Sequence, residues 1–122
     1  MKITLPHNHG EGIDNILKEL PALDNFKTAA GLFQLLGDAS RVRIFWILCH
    51  CEECVINLSA IMEMSSPAVS HHLKQLKASG LIISRREGKE VYYKASDTEQ
   101  AKCLHDMLEG AMSITCPDNC KY

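Results

Sequence analysis

Three cysteines, Cys49, Cys51 and Cys54, form a C-x-C-x-x-C cluster with His50, Glu52 and Glu53 interleaved. Thiolates are soft donors, so the cluster suits Zn2+, Cd2+, Pb2+, Cu+ or trivalent arsenic, and so local a set can offer two or three sulfurs without long-range folding. A plainer use is burial or helix capping, because free cysteine is among the most buried residue types. Cys116 and Cys120 at one end of the chain, and His7 and His9 at the other, are candidates for additional ligands. His105 and Glu109, four residues apart, can share a helix face with Asp97 or Asp106 as a further donor, although such pairs are also ordinary helix neighbours.

Thiols have two rival uses. Cys49 or Cys51 with Cys103 or Cys116 could form an oxidation- or persulfide-sensitive pair. Cys49 or Cys54 with His50 or His105 could act as nucleophile and base. No glycine-rich phosphate loop, H-E-x-x-H pattern or other catalytic signature accompanies them, so an enzyme is not expected.

The elements that must carry these groups follow from patterning. The 122 residues fit one domain, and the six cysteines are unevenly spaced without a secretory signal pattern, so reduced thiols and a cytoplasmic location are expected. No apolar run approaches the roughly 20 residues of a membrane span. Residues 1–12 read as a mobile tail, 13–114 as the folded domain and 115–122 as a cysteine-containing tail. A short helix over Ile13–Leu20 is closed by Pro21. Asp24 or Asn25 can cap a second helix ending at Gly37, and Asp38 or Ser40 a third, nearly all apolar, through Leu48.

Cys54–Met64 has helical spacing. Ser65-Ser66-Pro67 then supplies a cap followed by proline at the first helical position, so the next helix is expected to begin at Pro67; its inward stripe is Val69, Leu73 and Leu76 and Gly80 ends it. Runs of β-branched and aromatic residues flank Glu87-Gly88-Lys89 and predict a hairpin. Ser96 or Asp97 can cap a last helix to about Ile114. The net charge is −2, yet residues 66–94 carry Lys74, Lys77, Arg85, Arg86, Lys89 and Lys94 against Glu87 and Glu90, a local +4. A basic patch of this kind is what phosphate neutralisation needs.

Short helix, turn, second helix and basic hairpin form, in that order, a winged helix-turn-helix: mainly α, with five to six helices and a two-stranded hairpin wing. Its second helix fits a major groove, which nominates Ser66, Ser70, His71, His72, Lys74, Gln75 and Lys77 for DNA contact, with Arg85, Arg86 and Lys89 on the wing.

The runs Leu35–Ile44 (LLGDASRVRI), Pro67–Leu76 (PAVSHHLKQL), Gly80-Leu81-Ile82 and Arg85–Tyr93 (RREGKEVYY) resemble the ArsR/SmtB family of metal-responsive repressors over roughly residues 26–113. The resemblance implies a homodimer built from the first and last helices, an operator of double-stranded DNA with an imperfect inverted repeat, and release when an inducer binds. It also places Cys54 at the first of the family's two thiol positions and Ile56 at the second, so Cys49 and Cys51 would have to complete a metal or metalloid site of the Cd, Zn, Pb or As(III) class. Asp97 and Glu99 match half of the family's other site, but Gly110 and Ser113 fall where its second half should be.

Overall fold

The computed structural model describes residues 3–115, arranged as two compact units divided between Leu32 and Phe33. Residues 3–11 contain neither helix nor strand. In the first unit, α1 spans Gly12–Glu19 and ends where Leu20 turns extended, at φ −62° and ψ 119°, because the following Pro21 disfavours helical backbone in the residue before it. α2 spans Leu23–Leu35. It begins before the expected caps: Asn25 N–H already donates to Ala22 O at 3.0 Å, so Asp24 sits inside the first turn, where its charge complements the helix dipole. α1 and α2 bury no residue, and Leu23 (68%) and Phe26 (48%) are exposed.

The second unit holds the winged helix. α3 (Ala39–His50) is capped by Asp38, whose carboxylate accepts from Arg41 N–H at 2.9 Å. Ile44, Phe45 and Leu48 of α3 are buried at the centre of the core. A two-residue strand, β1 (Glu53–Cys54), precedes α4 (Val55–Met62). Sequence periodicity runs Cys54 into that helix, because a two-residue strand carries no periodicity of its own and exists only through its partner. α4 ends on Glu63 in the left-handed region (φ 53°), the only non-glycine with positive φ among the described residues.

α5 (Ser66–Ala78) follows, beginning one residue before Pro67 because Ser65 is the cap and Ser66 is already helical. Ser65 Oγ accepts from Ala68 N–H at 3.3 Å, Pro67 lies in the first turn, and Val69, Leu73 and Leu76 face the core as expected. Gly80 takes φ +82° just beyond the helix end. β2 (Ile82–Glu87) and β3 (Glu90–Ala95) pair antiparallel with Glu87 opposite Glu90, leaving Gly88-Lys89 as a two-residue loop. Gly88 has φ +64° and Lys89 does not have positive φ, the sign pattern of a type II′ hairpin turn.

The wing has three strands rather than two, in the order β1-β3-β2, with Glu53 opposite Tyr93 and Cys54 opposite Tyr92. α6 (Glu99–Thr115) packs Ala101 and Leu104 inward. Its cap is Thr98, whose Oγ1 accepts from Ala101 N–H at 3.2 Å, instead of Ser96 or Asp97. Ser96 is buried, and Asp97 pairs with Lys102 at 3.0 Å. No helix of the described residues is long and apolar enough to cross a membrane.

Candidate nucleic-acid interface and the sensing residues beside it

The α5 side chains divide by face. Ser66, Ser70, His71, Lys74 and Lys77 are exposed, whereas His72 and Gln75 turn toward the start of α3. There the Arg41 guanidinium donates to Gln75 Oε1 at 2.7 Å and to the carbonyls of Gln34 and Leu35, with His72 Nδ1 at 3.5 Å. Asp38 Oδ1 lies 4.0 Å from His72 Nε2. His72 and Gln75 thus set the angle of α5 on α3, a residue or two away from the side chains that point outward.

The wing cations divide in the same way. Arg85 is saturated: it holds both Glu52 oxygens (Nε to Oε2 2.9 Å, Nη2 to Oε1 2.6 Å), reaches Glu87 at 2.6 Å and lies 4.8 Å over the Tyr92 ring. Hydrogen bonding to Arg85 holds the Glu52 carboxyl below its usual range. Arg86 and Lys89 are exposed, and their side chains have no ion pair or hydrogen bond among the described residues. Lys77 Nζ donates to Ser84 Oγ at 2.6 Å and ties α5 to β2. The outward basic groups without a side-chain partner among the described residues include Lys74 on the helix and Arg86 and Lys89 on the wing, a geometry suited to a duplex backbone.

The cysteine cluster is distributed across the end of α3 and the start of the wing. Cys51 is exposed and its Sγ lies 3.4 Å from Ile47 O, Cys49 is half-buried, and Cys54 is buried on β1. Burial, reinforced by the nearby Glu109 carboxylate, pushes the Cys49 thiol up to about 12. Cys49 and Cys51 line a cleft of about 350 Å³ together with Glu52, Lys94, Lys102 and His105. Cys103 is exposed on α6. His7 and His9 stack on each other at 5.8 Å, and Cys116 and Cys120 lie outside the described residues.

Among the described residues, the one group of three potential metal ligands whose donor atoms converge is His50, His105 and Glu109, not the cysteine triad. His105 Nε2 and His50 Nε2 lie 3.0 and 3.2 Å from Glu109 Oε1 and 3.2 Å from each other. The i, i+4 spacing on α6 is legible in sequence. The third donor is neither Asp97 nor Asp106 but His50, and nothing local announces that α3 would bring it there.

Residues 38–84 match the family described as bacterial regulatory protein, arsR family. The transcriptional repressor SmtB homolog of Synechocystis sp. is 38% identical over 104 residues, covering 85% of this chain and 79% of that protein. The cadmium resistance transcriptional regulatory protein CadC of Listeria innocua is 37% identical over 83 residues, covering 66% and 70%. The structure of HlyU from Vibrio cholerae superposes with a TM-score of 0.67 at 28% identity, covering 78% of this chain and 99% of that one. With a capped α5, a cationic wing and this degree of likeness, the chain belongs to the ArsR family of bacterial regulatory proteins, DNA-binding transcriptional repressors of winged helix-turn-helix fold.

Proposed function

We infer that this chain is a homodimeric cytoplasmic repressor released from an inverted-repeat operator when a soft metal or metalloid ion binds the thiolates of Cys49, Cys51 and Cys54. One observation carries the reading: the cysteine segment is stitched to the wing. β1, which contains Cys54, is hydrogen-bonded to β3, and Glu52, between Cys51 and Cys54, grips Arg85 on β2. An ion that draws the three sulfurs together must shift this segment, and the shift passes directly to the hairpin carrying Arg86 and Lys89. Such an ion favours the conformation with weaker DNA contact, as a ligand must do to move the equilibrium at all.

The resistance named in the CadC relative supports a metal signal. Exposed Leu23 and Phe26 on α2, and Met107 and Ile114 on α6, give apolar surface for a second copy to cover. A thiol-oxidation switch using Cys49 is less well served, because a sulfhydryl pushed up to about 12 is protonated at neutral pH, whereas a thiophilic cation displaces that proton as it binds.

The test is fluorescence anisotropy of the reduced protein on DNA from upstream of its own gene, titrated in turn with Cd2+, Zn2+, Pb2+ and arsenite. Release by one of them that vanishes in the Cys49→Ser, Cys51→Ser, Cys54→Ser protein is the expected result. Release by peroxide or persulfide alone would transfer the protein to the thiol-redox class, and absence of any sequence-specific binding would overturn the repressor reading.

A further inference from the structure

We propose that His50, His105 and Glu109 form a second metal site, separate from the cysteines, that takes a nitrogen- and oxygen-preferring divalent cation of the Zn2+ class. The three donor atoms stand at the corners of a triangle with edges of 3.0, 3.2 and 3.2 Å. A tetrahedral ion with bonds of about 2.0–2.1 Å needs ligand-to-ligand edges of roughly 3.3–3.4 Å, so the donors need only spread by a few tenths of an ångström to seat it. Three donors also leave the fourth position open to water.

The surroundings hold this geometry before any ion arrives. Trp46 lies against His50 with ring centroids 4.2 Å apart, and the His50 and His105 rings meet edge to face at 4.9 Å. His105 and Glu109 are one turn apart on α6. Access is open: His50 exposes 43% of its side chain and the other two 25% each. Imidazole and carboxylate donors suit Zn2+, Co2+ or Ni2+, whereas thiophilic ions such as Cd2+, Pb2+ and arsenite favour the sulfurs nearby. A bound cation clamps the C-terminal end of α3 to α6 across 55 to 59 residues of sequence and fixes His50, which lies between Cys49 and Cys51.

The site stands independently of the cysteine reading, and the experiment keeps the two apart. The full-length reduced protein carrying Cys49→Ser, Cys51→Ser and Cys54→Ser is titrated with Co2+ and then with Zn2+. The expected result is one Co2+ per protomer with the visible d–d absorption of a four-coordinate ion, no sulfur-to-cobalt charge transfer, and displacement by Zn2+. In the same background His105→Gln weakens Co2+ binding by at least the roughly 10- to 100-fold that loss of even an outer-shell partner costs. His50→Gln, at an exposed helix end, repeats the test if His105→Gln fails to fold by circular dichroism. Absence of a four-coordinate spectrum, a sulfur charge-transfer band, or affinity unchanged in both histidine variants would overturn the proposal.

Discussion

The Arg85 guanidinium holds both carboxylate oxygens of Glu52, joining the cysteine segment to the second strand of the wing by two hydrogen bonds of 2.9 and 2.6 Å. This fork, more than any property of the cysteines, connects the proposed sensing residues with the wing proposed to contact DNA. Glu52→Gln removes the charge but keeps the shape. The metal-free variant is expected to bind operator at least as tightly as the parent, because Arg85 is left less neutralised, while metal-induced release weakens by about 2- to 30-fold, the range of coupling changes seen along such connections. Anisotropy titrations with and without metal measure both quantities. Unchanged release would show that the signal bypasses the fork.

Wing cations should differ in their salt dependence. Arg86 and Lys89 have no ion pair or side-chain hydrogen bond among the described residues, so Arg86→Ala and Lys89→Ala are each expected to reduce the slope of log K against log salt by about 0.9, the value of one phosphate no longer neutralised. Arg85 is already neutralised by Glu52 and Glu87, and Arg85→Ala should change the slope less. Operator affinity measured across a salt series separates the three; equal slope changes would contradict the division.

Adjacent histidines on α5 should also separate. His71 is exposed and His72 is held against Arg41 and Asp38. His71→Ala is expected to cost about 1–3 kcal/mol of discrimination between operator and mismatched DNA with little change in stability. His72→Ala should lower affinity for both duplexes, because it loosens the seat of α5. Competition binding together with thermal melts reads both effects.

Glu63 terminates α4 in a conformation that costs an L-residue about 1–2 kcal/mol, against the roughly 0.5–1 kcal/mol of backbone entropy that glycine forfeits on folding. Glu63→Gly is therefore expected to stabilise the protein by about 0.5–1 kcal/mol. Ser65→Ala, which removes the cap of α5, should cost about 1 kcal/mol. Urea unfolding at neutral pH measures both.

Acid should destabilise the fold. The backbone N–H of Arg41 is the main influence holding Asp38 below its ordinary value, and hydrogen bonding to Arg85 does the same for Glu52. A carboxyl depressed in the folded state contributes stability above its unfolded pKa of about 4, and that stability is lost as pH falls through the folded value. Thermal melts are expected to drop below about pH 5, and the drop should flatten in a protein carrying Asp38→Asn and Glu52→Gln. An acid limb unchanged by both substitutions would assign the loss to other groups.

Local chemistry made much of this molecule readable. Asp38, Ser65 and Pro67 mark helix starts, Gly80 and Gly88 sit where positive φ is required, and the β-branched and aromatic runs on either side of Gly88 define a hairpin. Each signal acts within one turn or one strand, so it survives in the sequence alone, and the serine-histidine-histidine run followed by a basic wing already resembled a DNA-binding family. The tertiary structure decided what depends on distant residues meeting. β1 exists because Glu53 and Cys54 find Tyr93 and Tyr92 across the sheet, too short a stretch to announce itself.

The same holds for the basic side chains and the ligand groups. Arg85, Arg86 and Lys89 are equivalent as letters, but Glu52 reaches only the first of them, and Arg41 withdraws His72 and Gln75 from the outward face of α5. His50 meets His105 and Glu109 because α3 and α6 bring together side chains 55 and 59 residues apart. Periodicity says which face of a helix is buried; which side chain waits on the opposing element is set by packing, and no local pattern encodes it.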